Sequence, residues 1–218
     1  ARAWPPLLPA KAISVPREFA TIRSAVLAAR PGDTIEVDDG IYLETNIVVD
    51  KNLRIRARRP FGAVIYGEDK DGGAIFVIRA VVALEGFILK NAARGILLRG
   101  RPEASLTGRD LAFLNMRQDA VSINDVSSNY GKVRLTSVYV DRAGTAFSTN
   151  DAHTLEVRYA LVANCDTVFS GYDHIRFFAE RVILWNCGAV KSEAADVPAP
   201  PATNTILLGE RILTLDPA

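Results

Sequence analysis

Two cysteines, two histidines, one methionine and two tryptophans in 218 residues leave few groups for disulfide frameworks or cysteine–histidine metal centres. Two cysteines are too few for a stapled scaffold, so stability has to come from a buried core. At 49% hydrophobic and 23% charged positions the chain is long enough to build one. Charge of one sign is also missing: 26 basic against 25 acidic residues give a net charge of +1. This balance supplies no global attraction to nucleic acid or to a membrane surface, so selectivity for a charged ligand must be local. No apolar run approaches the roughly 18 residues needed to cross a bilayer, and no membrane insertion is expected. The opening Ala1-Arg2-Ala3-Trp4-Pro5-Pro6 has neither an initiator Met nor an apolar signal stretch, a start compatible with a removed signal segment.

A small motif recurs: two alternating apolar residues, an Asn, then a second apolar run. It reads Phe87-Ile88-Leu89-Lys90-Asn91, Leu111-Ala112-Phe113-Leu114-Asn115, Leu161-Val162-Ala163-Asn164 and Val182-Ile183-Leu184-Trp185-Asn186. Val138-Tyr139-Val140-Asp141-Arg142 fits between the second and third, giving spacings of 24, 27, 22 and 22. Period-two alternation punctuated by Gly and Asn excludes a helical repeat. Each repeat therefore reads as one coil of three short strands stacked about 4.8 Å from the next. The expected fold is all-β, a single-stranded parallel β-helix of about eight coils with a face near 40 Å long. Asn91, Asn115, Asn164 and Asn186 form a predicted side-chain ladder that Arg142 interrupts.

The single domain divides into an extended Pro-rich arm over 1–16, a capping helix over 19–30, coils over 33–191 and a tail over 192–218 that closes the far end with one or two strands around 205–215. Ile22, Ala25, Val26 and Ala29 make the apolar face of the helix, and Pro31-Gly32 stops it. Val15 through Gly40, with Pro31-Gly32-Asp33 and Gly40-Ile41-Tyr42-Leu43-Glu44, resembles the opening of right-handed β-helices of the pectin-lyase-like superfamily. That resemblance implies a polysaccharide groove on the first sheet and the loops leading into it, and a secreted or periplasmic location. The paired-Asp segments of pectin methylesterases, the Arg-x-Pro-x-x-Arg of calcium-dependent pectate lyases, the Gly-His-Gly of polygalacturonases and the Asp-Pro-His-Asp of alginate epimerases have no counterpart.

On the first sheet, strands around 82–85, 105–107, 133–136, 155–158 and 175–178 give two predicted outward rows. One is Ala83, Thr107, Arg134, Glu156, Arg176; the other is Glu85, Arg109, Thr136, Arg158, Phe178. Arg109, Arg134, Arg158 and Arg176 make this face locally basic, as binding of uronate carboxylates requires. The same residues also suit a plain charge ladder across strands, in which Arg134 and Arg176 pair with Glu156.

Both histidines fall at one corner a coil apart, in Asn150-Asp151-Ala152-His153 and Gly171-Tyr172-Asp173-His174, with Asp125 and Tyr130 at the preceding corner. Asp151 and Asp173 can orient a His153 or His174 base, Tyr172 can return a proton, and Tyr130 can contact substrate. This pattern fits β-elimination or C5 epimerisation of a uronate. Asp and His at turns also satisfy backbone groups without any catalytic role, which leaves a noncatalytic glycan-binding or assembly module as the alternative. Two His and two Asp without a short-range ligand motif indicate no metal, and no cofactor is expected. The acidic loop Gly67-Glu68-Asp69-Lys70-Asp71-Gly72-Gly73 lacks a terminal bidentate Glu and reads as a solvated turn. Cys165 and Cys187 share a rung and read as stacked thiols in preference to a disulfide, because stacked side chains point in parallel.

Overall fold

A computed structural model describes residues 10–67, 72–99, 104–124, 132–149, 154–171, 176–188, 205–207 and 211–214. In chain order the elements are β1 (Ala12–Val15), α1 (Ile22–Ala28), β2 (Thr34–Val37), β3 (Gly40–Leu43), β4 (Ile47–Val49), β5 (Leu53–Ala57), β6 (Ala63–Tyr66), β7 (Ala74–Ile78), β8 (Val81–Glu85), β9 (Phe87–Ala92) and β10 (Arg94–Leu98). Long bent strands follow: β11 (Ser105–Ile123), β12 (Lys132–Thr149), β13 (Thr154–Ala163), β14 (Thr167–Gly171) and β15 (Arg176–Trp185), then β16 (Thr205–Leu207) and β17 (Arg211–Thr214). All pairings from β1 to β15 are parallel, each strand bonding its equivalent one coil on.

The result is a right-handed parallel β-helix of about six full turns, against about eight expected, with eight rungs in sheet I among the described residues. At about 4.8 Å per turn its faces are nearer 30 Å than 40 Å long. Sheet I holds β1, β2, β5, β8 and the first parts of β11, β12, β13 and β15; sheet II holds β3, β6, β9 and the following parts; sheet III holds β4, β7, β10, the ends of β11 and β12, and β14. The arm's last residues, Ala12–Val15, are not wrapped outside: they form the first strand of sheet I, in register with β2.

Alternation decides which side chains go inward. Val82, Leu106, Val133 and Leu155 form one buried sheet I row, and Ile65, Leu89, Phe113, Val140 and Val162 one buried sheet II row. Each such side chain contributes roughly 1.5–3 kcal/mol by leaving water. Phe147 and Phe169, register partners in sheet III, stack with centroids 5.4 Å apart. The outward face of sheet II is apolar as well, with Ile41, Leu43, Leu161, Ile183 and Trp185 exposed along it.

In the later coils two corners turn on one residue in the left-handed region. Between sheets I and II these are Asp110, Ser137, Tyr159 and Arg181, with φ between 51° and 57°. Between sheets II and III they are Asn91, Asn115, Arg142, Asn164 and Asn186. Asn tolerates this conformation better than most residues, which is one reason it recurs there. The ladder forms: Asn115 Nδ2 donates to Asn91 Oδ1 at 3.0 Å and Asn186 Nδ2 to Asn164 Oδ1 at 2.8 Å. Arg142 does interrupt it, and the Asp141 carboxylate takes over, accepting from Asn164 Nδ2 at 2.7 Å.

The helix is shorter than its predicted span, covering Ile22–Ala28, with Thr21 as N-cap in a reciprocal box with Ser24. Ile22, Ala25, Val26 and Ala29 are buried over the first coil. The following coil closes both helix ends. Glu44 accepts from the Ile22 and Arg23 amides at 2.7 and 2.9 Å, while Lys51 Nζ donates to the carbonyls of Val26, Leu27 and Ala29. At the other terminus β16 and β17 pair antiparallel with β15, along its sheet II and sheet I parts respectively.

Asp33, in the Pro-Gly-Asp turn, is buried and accepts from the Lys11 and Arg30 amides, both at 2.8 Å. These two donors hold its carboxyl below the usual Asp range. A depressed folded-state pKa stabilises the fold above the ordinary Asp pKa, and the contribution is lost as pH falls through the depressed value. Asp33→Asn is therefore expected to melt below the wild type at pH 7, with the gap closing towards pH 3. Parallel melting curves across that range check it; a constant gap would contradict it.

Candidate functional site

The outward rows of sheet I follow from the strand register. One runs Thr34, Arg54, Ala83, Thr107, Arg134, Glu156, Phe178; the next runs Glu36, Arg56, Glu85, Arg109, Thr136, Arg158, Glu180. The last coil thus differs from expectation. Phe178 follows Glu156, where Arg176 was expected, and Glu180 follows Arg158, where Phe178 was expected. The reason is spacing: the step of 22 that relates Asn164 to Asn186 also pairs Thr154 with Arg176, so aligning on Ile175 places the strand two residues early. Arg176 lies instead on a third row with Ser105, Lys132 and Thr154; its side chain is outside the described residues.

This shift removes the expected basic excess. Arg109 Nε lies 3.3 Å from Asp110, Arg134 Nε 3.2 Å from Glu156, and Arg158 Nε 3.4 Å from Glu180. Nearer the helix cap, Arg54 pairs with Glu85, Arg56 with Glu36, and Arg58 with Asp38. Charge pairing across the sheet therefore exists, but its weight is small, since exposed pairs contribute at most about 1 kcal/mol. Arg109, Arg134 and Arg158 stay 56–66% exposed and meet their carboxylates through Nε. A guanidinium held by a carboxylate at one edge can in principle engage a second carboxylate at the other.

Asp151, His153, Tyr172, Asp173, His174 and Tyr130 lie outside the described residues, as does Asp125. The strands that bound their segments are described. Ile123, Thr149 and Gly171 are consecutive rungs of sheet III; Lys132, Thr154 and Arg176 are consecutive rungs of sheet I. The segments 124–131, 150–153 and 172–175 therefore leave from one ladder and arrive on the next, one coil apart at both ends. Residues 68–71 of the acidic loop are outside the described residues too.

Tyr159 at the corner beside Arg158 is a surface feature that the motif search misses. Arg181 Nη1 donates to its hydroxyl at 2.9 Å, and the guanidinium sits 5.1 Å from the ring centroid. The 22-residue spacing between the two was the available signal. Trp185 is exposed on sheet II, on a different face from the arginines, whereas Phe178 stays on sheet I. Among the described residues no group of three or more His, Cys, Asp or Glu is placed to hold a metal ion, and no helix is long and apolar enough to cross a membrane.

No family model matches the sequence, and no curated protein matches it significantly. Among solved structures, a mutant of the PL6-family alginate lyase AlyGC superposes with a TM-score of 0.56 at 19% identity, over 84% of this chain and 30% of that one. What the two share is the parallel β-helix fold. The chain spans about 30% of the lyase's length. Pectin methylesterase PemA from Erwinia chrysanthemi gives a TM-score of 0.47 at 12% identity, and a pectin methylesterase in complex with a hexasaccharide 0.40 at 11%. Each covers 88% of this chain and 91% of its own.

Proposed function

We propose that the protein acts on an acidic polysaccharide laid along sheet I, abstracting the proton beside a uronate carboxylate as a lyase or a C5-epimerase. What supports this reading is the register of the described strands: Thr149 and Gly171 are neighbouring rungs of sheet III, Thr154 and Arg176 neighbouring rungs of the arginine-bearing sheet I, and each histidine falls in the sequence between one such pair. Arg109, Arg134, Arg158 and Arg176, with Tyr130, engage the carboxylate and lower the cost of the carbanion that forms next to it. His153 or His174, oriented by Asp151 or Asp173, takes the C5 proton. In elimination the C4–O bond then breaks, its electron pair leaves with the oxygen, the carbanion pair becomes the C4=C5 double bond, and Tyr172 protonates the leaving oxygen. In epimerisation a proton returns to the opposite face of C5. The name of the structural neighbour, an alginate lyase, supports a polyuronate as substrate class, and an exported location goes with that reading.

The second reading is a noncatalytic glycan-binding module, favoured by the existing carboxylate partner of each described groove arginine. Incubation with alginate, pectate and glycosaminoglycan chains separates the two. The enzyme reading predicts growth of the ultraviolet band of unsaturated uronates, or solvent deuterium entering C5 without chain cleavage, on at least one polymer. Binding with neither signal on any of them would leave the module and remove the enzyme.

A further inference from the structure

The two cysteines meet where sheet II turns into sheet III. The Asn164 amide donates to the Trp185 carbonyl at 3.0 Å, and the Gly188 amide to the Cys165 carbonyl at 2.9 Å. With the Asn164–Asn186 side-chain bond, this register stands Cys187 one rung above Cys165, about 4.8 Å away along the stack. Both are free thiols. Their surroundings differ: Cys165 is buried in the core, whereas Cys187 is half-buried between exposed Trp185 and Asn186 on one side and exposed Gly188 on the other. Cys165 Sγ lies 3.2 Å from the Ala163 carbonyl and Cys187 Sγ 3.4 Å from those of Val162 and Trp185.

A rung spacing of this size lies within the Cα separation that a disulfide accepts, about 4.4–6.8 Å. The thiols are thus close enough to bond and differ in access, which sets an order of events. We propose that Cys187 is a modification site for low-molecular-weight disulfides and that Cys165 is its resolving thiol, the two closing a cross-coil disulfide. In the first step the Cys187 sulfur, having lost its proton, attacks one sulfur of the reagent. A mixed disulfide forms, the reagent's S–S bond breaks, and the departing thiolate takes up a proton. In the second step Cys165 loses its proton and attacks the Cys187 sulfur, and the second reagent thiolate leaves and is protonated. Two protein thiols are oxidised by two electrons, and one reagent disulfide is reduced to two thiols.

The division of labour agrees with the electrostatics of the pair. A Cys187 thiolate accepts a hydrogen bond from the Cys165 thiol, which brings Cys187 down to about 6 and pushes Cys165 up, with burial and the nearby Asp141 carboxylate acting in the same upward direction on Cys165. Asp141 itself is held by Asn164 Nδ2 and Arg142. The inference stands apart from the proposed reaction and survives if no polymer is turned over.

The full chain treated with oxidised glutathione and followed by intact mass spectrometry is the test. The wild type is expected to lose two hydrogens without holding an adduct. Cys165→Ala is expected to hold one glutathionyl group at Cys187, and Cys187→Ala to react at least tenfold more slowly. The cross-linked wild type is expected to melt about 5–10 °C higher than the reduced form. A wild type that keeps both thiols, that accumulates an adduct without closing, or a Cys187→Ala variant that reacts as fast as Cys165→Ala would overturn the proposal. If Cys165→Ala does not fold, peptide mapping of the wild type at early times replaces it: adduct must appear at Cys187 before the cross-linked peptide, and adduct first at Cys165 refutes the order.

Discussion

Glu44→Ala is expected to lower the melting temperature by about 5–15 °C without changing any activity measured on the folded protein. The carboxylate is buried and serves two amides at the start of α1, Ile22 and Arg23, that have no partner within the helix. Removing it leaves two donors unsatisfied, each costing about 1–3 kcal/mol to the extent that water cannot reach it. In a chain of this size each kcal/mol is worth about 2–4 °C. Glu44→Gln keeps one accepting oxygen but turns an NH2 group toward the other amide, so it should fall between the two. The comparison also separates structure from chemistry, because Tyr42-Leu43-Glu44 belongs to the stretch that resembles polysaccharide enzymes. A rate change on the folded Glu44→Gln protein, with little loss of stability, would contradict the capping role.

The second large effect is on turnover. His153→Ala, His174→Ala is expected to lose about 10²–10⁴ of the rate on the responsive polymer, the usual contribution of a positioned general base. The proposed mechanism makes the single variants unequal, because it assigns proton abstraction to one histidine and contact with the polymer to the other. Arg134→Ala and Arg158→Ala should raise KM more than they lower kcat if their main role is holding carboxylates along the polymer. Initial rates on variants with wild-type far-ultraviolet dichroism give the answer. A double variant within about twofold of wild type would remove the histidines from the mechanism even if the protein proved to be a lyase.

The fold was legible because it is periodic. Asn at a left-handed corner recurs in four of five successive coils, with Arg142 in the fifth, and apolar alternation tells each strand which side faces in, so Asn91, Asn115, Asn164 and Asn186 locate the coils before any contact is known. The errors arose where periodicity gives little guidance. Sheet I of the last coil was displaced by two residues because Ile175 and Phe177 both satisfy the apolar pattern, and parity alone does not distinguish steps of two. The displacement hid Glu180 as the partner of Arg158 and turned a balanced surface into a basic one on paper. Glu44 and Lys51 were invisible for a different reason. Each acts on a helix about 22 to 25 residues earlier in the chain, and no local pattern marks a side chain that caps a distant element. Tyr159 and Arg181 meet for the same cross-coil reason. The candidate site was legible only as connectivity: the sequence shows two histidines one coil apart, and the register of β12, β13, β14 and β15 fixes the rungs on which their segments begin and end.

The corners also differ in how much chain they hold. In the second coil five residues separate Ala57 from Ala63 and seven separate Tyr66 from Ala74, whereas in the later coils a single left-handed residue makes the turn where sheet I passes into sheet II and sheet II into sheet III. The passage from sheet III to sheet I has no such constraint: two residues separate Ile78 from Val81, eight separate Ile123 from Lys132, and four separate Thr149 from Thr154, yet the flanking rungs stay in register. In the later coils, then, chain length varies chiefly along one seam of the molecule, and that seam leads directly into the charged face of sheet I.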